Sequence, residues 1–146
     1  MAGSDRAVRR AALKPRFLLD THVAVRWFAA PTKLSREQAR ALRESVRRRE
    51  PVAISAVTLL EIAVLFGAGT ARSDIPVAEL LGELGSNPAF HLAPLTIEIA
   101  AEVAALGNAL RDPADRAIVA TARVLKLRLV TSDQRIIDSK LVPVVA

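Results

Sequence analysis

The chain has 146 residues, a net charge of +6 and no cysteine, and 51% of its residues are hydrophobic. These values predict one domain with a buried core and exclude disulfides and zinc–thiolate sites. No apolar run approaches the roughly 18 residues of a membrane span, and the basic N-terminus lacks an apolar signal-peptide core, so we expect a cytoplasmic protein with no membrane contact.

Short apolar segments alternate with helical patterns along the chain. Residues 1–15 are basic and Ala-rich and predict a flexible tail, followed by a single domain over residues 16–146. Strands are predicted at residues 16–20, 51–55, 91–93, 128–130 and 142–145. Helices are predicted at residues 21–28, 35–49, 56–66, 76–84, 96–106 and 112–126. This alternation predicts an α/β fold, a three-layer α/β/α arrangement with a mainly parallel, roughly five-stranded sheet.

Polar residues mark where several of these helices begin or end. Ser35 and Thr96 are predicted N-caps, and the pair Asp112-Pro113 is typical of a helix start. Glycines at positions 67 and 69 are predicted to end the third helix. That helix, residues 56–66, is apolar nearly all round, which predicts that it is buried on every side.

Four acidic residues stand beside apolar segments, where a folded chain rarely leaves a charge: Asp20, Glu61, Asp115 and Asp133. Asp20 and Asp133 follow predicted strands, and the carboxyl ends of parallel strands meet at one edge of a sheet. Four carboxylates gathered there would resist ionising together unless a cation bound them. Oxygen ligands without thiolate favour Mg²⁺ or Mn²⁺. The pattern therefore predicts metal-dependent phosphodiester chemistry.

Each of these acids also has a structural interpretation. Asp112 can cap the helix that Pro113 begins, and Asp115 can complete a capping box. Asp20 and Asp133 can be ordinary caps at strand ends. Both interpretations remain open at this point.

The same holds for the residues around the acids. Glu61 can be a core carboxylate paired with Arg26 or Arg116. His22 is better explained as a capping or core residue than as a ligand, and Trp27 as a core residue than as a stacking platform. Aromatic residues make up only 3% of the chain, so recognition of RNA bases by stacking is limited.

Basic residues dominate outside the predicted acidic cleft. If Asp112 joins the four acids there, the 10 remaining acidic residues face 21 Lys and Arg, which leaves +11 on the rest of the surface. An acidic metal cleft in a basic surface suits a polyanionic substrate such as RNA. The basic helix at residues 35–49 has three explanations: a solvated face, a track for phosphates, or a docking face for an acidic partner.

Four segments resemble the motifs of PIN-domain ribonucleases, in order and at the expected spacing. These are residues 18–22 (LLDTH), 55–63 (SAVTLLEIA), 111–116 (RDPADR) and 129–133 (LVTSD). The resemblance covers roughly residues 16–145 and is nearest to the VapC-like toxins of bacterial toxin–antitoxin pairs. Leu60, Leu65 and Leu110 replace an aromatic, a Lys and a His that such proteins often carry, which bears on substrate contacts rather than on the carboxylates.

The resemblance implies a Mg²⁺- or Mn²⁺-dependent endoribonuclease inhibited by a cognate antitoxin. It implies that the catalytic and metal-binding residues are Asp20, Glu61, Asp115 and Asp133. The auxiliary residues implied are Asp112, Thr131 and Arg116. Glu61 would ligate the metal or position a water, Thr131 would hydrogen-bond a carboxylate or a water of the metal, and Arg116 would contact substrate.

Other classes of protein fit less well. A haloacid-dehalogenase-like phosphatase needs an acid at position 22, where His22 stands, and a Rossmann domain needs a Gly-rich turn after the first strand. The alternative is a non-catalytic PIN scaffold that binds RNA or protein without cutting. The large apolar fraction further predicts a homodimer.

Overall fold

The structure, a computed structural model, describes residues 14–67 and 76–146. Most of the predicted N-terminal tail, residues 1–15, lies outside these ranges. So does the second of the two glycines predicted to end the third helix, at position 69. Within them, no helix combines the length and the apolar character needed to cross a bilayer.

The five strands in the described residues form one sheet with the order β3-β2-β1-β4-β5, and all four pairings between them are parallel. The strands are β1 (Phe17–Leu19), β2 (Val52–Ser55), β3 (Phe90–Ala93), β4 (Arg128–Val130) and β5 (Val144–Val145). Each lies within about two residues of its predicted position, so the predicted parallel sheet is confirmed.

Helices connect the strands. They are α1 (Thr21–Ala29), α2 (Arg36–Arg47), α3 (Ala56–Gly67), α4 (Val77–Ser86), α5 (Ile97–Ala105), α6 (Pro113–Leu125) and α7 (Gln134–Ser139), with a 3₁₀ turn at Pro31–Lys33. Ser35 and Thr96 cap α2 and α5, as predicted. The short helix α7 was not predicted, because six residues give too little periodicity to be recognised.

The side chains of each strand alternate between two hydrophobic cores. Leu18, Ala53 and Leu129 point to the core formed with α5, α6 and α7. Leu19 and Ile54 point to the core formed with α1, α2, α3 and α4. Helices therefore cover both faces of the sheet, which confirms the three-layer α/β/α architecture.

The order of the strands places a crevice beside Asp20. The chain proceeds outward from β1 through β2 to β3 and then returns to β4 on the other side of β1. The connection after β1 leads to β2 on one side of the sheet, and the connection after β4 leads to β5 on the other side. The two connections diverge at this point, which opens a crevice at the carboxyl ends of β1 and β4. The amide of Asp20 donates to the carbonyl of Val130 at 3.0 Å, which joins the two strand ends.

The prediction that α3 is buried all round is wrong. Its inner face is buried through Thr58 and Ile62, but Leu60 is 64% exposed and Val64 is 59% exposed. The sheet and the neighbouring helices cover only one side of α3, so its second apolar face has no partner within the described chain.

Candidate active site at the carboxyl edge of the sheet

Asp20 lies at the centre of the acidic crevice and is held by two hydrogen bonds. It is only 4% exposed. Its Oδ1 accepts from the backbone N–H of Thr21 at 2.9 Å, and its Oδ2 accepts from the Thr131 hydroxyl at 2.6 Å. A carboxylate bonded to donors in this way is fixed in orientation before any ligand arrives. The predicted contact between Thr131 and a carboxylate is thus present.

A pair of threonines connects α1 to Glu61 on α3. The Thr21 hydroxyl donates to Glu61 Oε1 at 2.5 Å and lies 3.0 Å from the Thr58 hydroxyl. Because Thr21 has one hydroxyl proton and gives it to Glu61, Thr58 must be the donor of the second bond. Glu61 is therefore bonded to a threonine, and neither Arg26 nor Arg116 pairs with it, so the ion-pair interpretation is wrong.

Asp112 and Asp115 occupy the first turn of α6. Asp112 is the N-cap, and its Oδ1 accepts from the Asp115 amide at 3.0 Å, with Pro113 in the first helical position. The capping interpretation of Asp112 is therefore confirmed. The Asp115 carboxylate lies 3.6 Å from the Arg135 guanidinium, so it faces the crevice.

Asp133 caps α7 and binds the same arginine. Its Oδ1 accepts from the backbone N–H of Arg135 at 2.9 Å, and its Oδ2 lies 3.0 Å from Arg135 Nη2. Its own amide donates to the Thr131 hydroxyl at 3.0 Å. Arg135 was not predicted, because its position two residues after Asp133 does not reveal that its side chain turns back to Asp115.

His22 and Gln38 fix the loop between β4 and α7. His22 Nε2 accepts from the Ser132 amide at 2.9 Å, and His22 Nδ1 lies 3.4 Å from Asp20 Oδ2. Nε2 acts as an acceptor, so the proton of a neutral ring is on Nδ1, facing Asp20. The buried Gln38 donates to Ser132 Oγ at 2.9 Å. His22 thus holds the loop after β4 next to Asp20, which agrees with a structural role rather than with metal binding.

The raised pKa values of Asp115 and Glu61 reflect burial first and then the nearby negative charges. Burial, and then Asp112, Asp20 and Asp133, raise the pKa of Asp115 to about 6, although Arg135 opposes this. Burial also raises the pKa of Glu61, with further increases from Asp20 and Asp112 and opposition from the Thr21 hydrogen bond. Since each of these acids affects another, the five carboxylates share one electrostatic site.

The pKa shifts of Asp133 and His22 indicate which basic group offsets this charge. The hydrogen bond from Arg135 lowers the pKa of Asp133. Burial lowers the pKa of His22 despite the nearby Asp20 and favours the neutral ring. His22 therefore contributes little positive charge, and Arg135 is the main cation that faces the acids in the described residues.

The donor set fits a hard divalent ion. Carboxylate and hydroxyl oxygens supply the potential ligands at the crevice, and burial together with the neighbouring acids raises the pKa of Glu61 and Asp115. In residues 14–67 and 76–146, however, no three Asp, Glu or His side chains are close enough together to enclose one ion. The guanidinium of Arg135 occupies the space between Asp115 and Asp133.

Arg116 points away from the crevice. Its guanidinium donates to the carbonyl oxygens of Val103, Gly107 and Leu110, which ties the end of α5 to the start of α6. This arrangement contradicts the prediction that Arg116 contacts substrate. Trp27 packs edge-on against Phe90 at 5.5 Å between ring centroids, as expected of a core residue.

The sequence and the fold are similar to those of known proteins. The family model of the PIN domain matches residues 17–140. The chain is 35% identical to Ribonuclease VapC22 of Mycobacterium tuberculosis over 120 residues, which cover 82% of this chain and 88% of that protein. The fold is similar to the crystal structure of FitAcB from Neisseria gonorrhoeae, with a TM-score of 0.66 and 22% identity, over 89% of this chain and 96% of that one. A toxin–antitoxin complex from Klebsiella pneumoniae gives a TM-score of 0.55 and 25% identity, over 80% and 85% of the two chains.

Proposed function

The chain belongs to the PIN-domain family, and we propose that it is a Mg²⁺- or Mn²⁺-dependent endoribonuclease that acts as the toxin of a toxin–antitoxin pair in the cytoplasm. The observation that carries this proposal is the group of acids at the β1–β4 crevice, where burial and then Asp112, Asp20 and Asp133 raise the pKa of Asp115 to about 6. Capping explains Asp112 and Asp133 individually, but it does not explain why Glu61 and Asp115 are placed where their pKa values are raised, and a functional site does.

Three carboxylates from different elements would hold the metal directly or through water: Asp20, Asp115 and Asp133. A bound ion of this kind polarises a phosphate oxygen and lowers the pKa of a water. The chain itself supplies orientation. Thr131 and the Thr21 amide fix Asp20, so this ligand loses little conformational freedom when a cation binds.

Glu61 has the properties of a group that positions the attacking water. Thr21 occupies its Oε1, and burial with nearby acids raises its pKa, which makes it a better proton acceptor than an exposed carboxylate. Asp112 holds the first turn of α6 through its cap and adds negative charge near Asp115. The basic surface outside the crevice would attract the RNA backbone.

Two protein partners belong to this proposal. The name of the relative, a ribonuclease, supports the proposed activity. One structural neighbour is described as a toxin–antitoxin complex, which supports a cognate antitoxin for this chain. The exposed apolar face of α3, with Leu60 and Val64, supports a homodimer, because apolar surface of this kind is usually covered in the working assembly.

Cleavage of single-stranded RNA with and without EDTA tests the activity. Cleavage should require Mg²⁺ or Mn²⁺, stop with EDTA and return when Mn²⁺ is added in excess, without any need for Zn²⁺. Asp20→Asn should fold but lose both cleavage and Mn²⁺ binding. Asp138→Asn, a carboxylate outside the site, is the matched control. Equal Mn²⁺ affinity in the Asp20→Asn and wild-type proteins would remove Asp20 from the site.

The non-catalytic scaffold remains the second candidate function, because Arg135 separates Asp115 from Asp133. RNA binding without cleavage at any Mg²⁺ or Mn²⁺ concentration would favour it.

A further inference from the structure

Arg135 binds both acids on the α6–α7 side of the crevice. Its Nη2 lies 3.0 Å from Asp133 Oδ2 and 3.6 Å from Asp115 Oδ2, and its Nε donates to Asp133 Oδ1 at 3.3 Å. Together with the bond from its backbone N–H, the residue engages both oxygens of Asp133. These are the carboxylate oxygens that a metal ion would need.

The arginine itself is held by few other contacts. Its side chain is 75% exposed, whereas the side chains of Asp115 and Asp133 are half-buried. No core packing requires the guanidinium to lie between the two acids. The attraction of the acids is therefore what keeps it there, and a stronger cation at the same oxygens would displace it toward the solvent without unfolding the chain.

A metal ion and the guanidinium cannot share these oxygens. Both need the same lone pairs on Asp115 and Asp133, and two cations at this separation repel each other.

We propose that Arg135 is an intrinsic competitor of the divalent ion: its guanidinium neutralises Asp115 and Asp133 in the metal-free protein and leaves them when the ion binds. The inference rests on the proposed metal site and adds a residue that sets its affinity. The protein would thus bind little metal at low Mg²⁺ or Mn²⁺ concentration, with Arg135 offsetting part of the negative charge of Asp115 and Asp133.

Calorimetric titration with Mn²⁺ at pH 7.5, without RNA, tests the competition. Arg135→Gln removes the charge and should bind Mn²⁺ about threefold to tenfold more tightly than wild type, the range expected when a partly exposed ion pair is lost. Arg135→Lys keeps the charge without the planar guanidinium, and its Mn²⁺ affinity should lie between those of the wild type and Arg135→Gln. Arg43→Gln, an exposed arginine on α2, is the charge-matched control and should bind as wild type does.

The outcomes separate this inference from the proposed function. If Arg135→Gln binds Mn²⁺ no more tightly than wild type while Asp115→Asn loses binding, the metal site stands and the competition does not occur. If none of the proteins binds Mn²⁺, both proposals are wrong. A second readout is the ¹⁵Nε–¹Hε resonance of Arg135, which should shift as Mg²⁺ is added to the wild-type protein and should not shift in Asp115→Asn.

Discussion

The Thr131 hydroxyl donates a 2.6 Å hydrogen bond to Asp20 Oδ2 across 111 positions of sequence, and the Asp133 amide donates to the same threonine oxygen. One buried hydroxyl thus connects the carboxylate after β1 with the backbone after β4. Thr131 fixes two of the proposed metal ligands relative to each other.

Thr131→Val should therefore weaken both the fold and the site. Valine has nearly the same volume but leaves Asp20 and the Asp133 amide without this partner, which should lower the free energy of unfolding by about 1–3 kcal/mol. Mn²⁺ affinity should also fall, because Asp20 loses its fixed orientation. Thr131→Ser keeps the hydroxyl and is the control. Urea unfolding and calorimetry that do not distinguish the two variants would contradict the role of the hydroxyl.

Without metal, replacing Asp115 by Asn and replacing Asp133 by Asn should change the stability of the protein in opposite directions. The pKa of Asp115 is raised from 3.8 to about 6, so its ionisation opposes folding, and this cost develops as the pH rises through that window. Asp115→Asn should therefore stabilise the protein at pH 7.5 by about 1–2 kcal/mol, less than the full shift implies because solvent screens the group, and should have little effect at pH 4.

The pKa of Asp133 is lowered by its bond with Arg135, so its ionisation favours folding above the pKa of the unfolded chain and this contribution is lost as the pH falls. Asp133→Asn should lower the melting temperature at pH 7.5, even though Asn can still cap α7. Thermal melts of the two variants at pH 4 and pH 7.5 measure both signs. Shifts in the same direction at pH 7.5 would show that the two acids share one environment.

Glu61→Gln separates the two roles of Glu61. Gln keeps an oxygen that can accept the bond from Thr21, so the fold should be retained. If Glu61 positions the water, cleavage should fall by about 10²-fold or more while Mn²⁺ affinity changes little. If Glu61 ligates the metal, both should fall together. Single-turnover cleavage at saturating Mn²⁺, beside calorimetry, gives the answer, and an active Glu61→Gln protein would exclude both roles.

Most of the fold could be predicted from the sequence because its signals are local. The apolar segments, Ser35, Thr96 and the Asp112-Pro113 pair mark strands and helix starts within a few residues. The candidate site could be predicted in outline for a different reason. Parallel strands bring their carboxyl ends together, so Asp20 and Asp133 were expected at one edge.

Side-chain directions could not be predicted in the same way. Nothing local shows that Arg116 turns to backbone carbonyls while Arg135 turns to Asp115, since both are arginines beside an acid. The exposure of α3 was missed because apolar composition gives the same signal whether the helix packs in its own core or against another chain.

The exposed face of α3 leads to a prediction about assembly. Leu60→Glu combined with Val64→Glu should convert the proposed dimer to a monomer, because two charges would be buried in the interface. Val46→Glu changes an equally exposed apolar residue on α2 and should leave the assembly unchanged. Light scattering coupled to size exclusion measures the mass. If the wild-type protein is a monomer, the proposed dimer does not exist. If the double variant is still a dimer, the interface lies elsewhere.

The last prediction concerns the antitoxin. Arg135 already shows that a guanidinium suits the Asp115–Asp133 side of the crevice, and Asp20 with Glu61 offers a second acidic side. We expect an Arg or Lys from an extended antitoxin segment to enter among Asp20, Glu61 and Asp115 through charge-assisted hydrogen bonds. Helices α1 and α2 would contact the apolar part of the segment.

Replacing that basic residue by Ala should restore cleavage even where the complex survives, because the apolar contacts would remain while the acids become free for metal. Co-expression of the pair, followed by growth and cleavage assays, tests each Arg and Lys of the bound segment, with basic residues outside it as controls. Full inhibition after every Arg and Lys in the segment is changed to Ala would show that the antitoxin blocks RNA by its bulk and leaves the carboxylates to the metal.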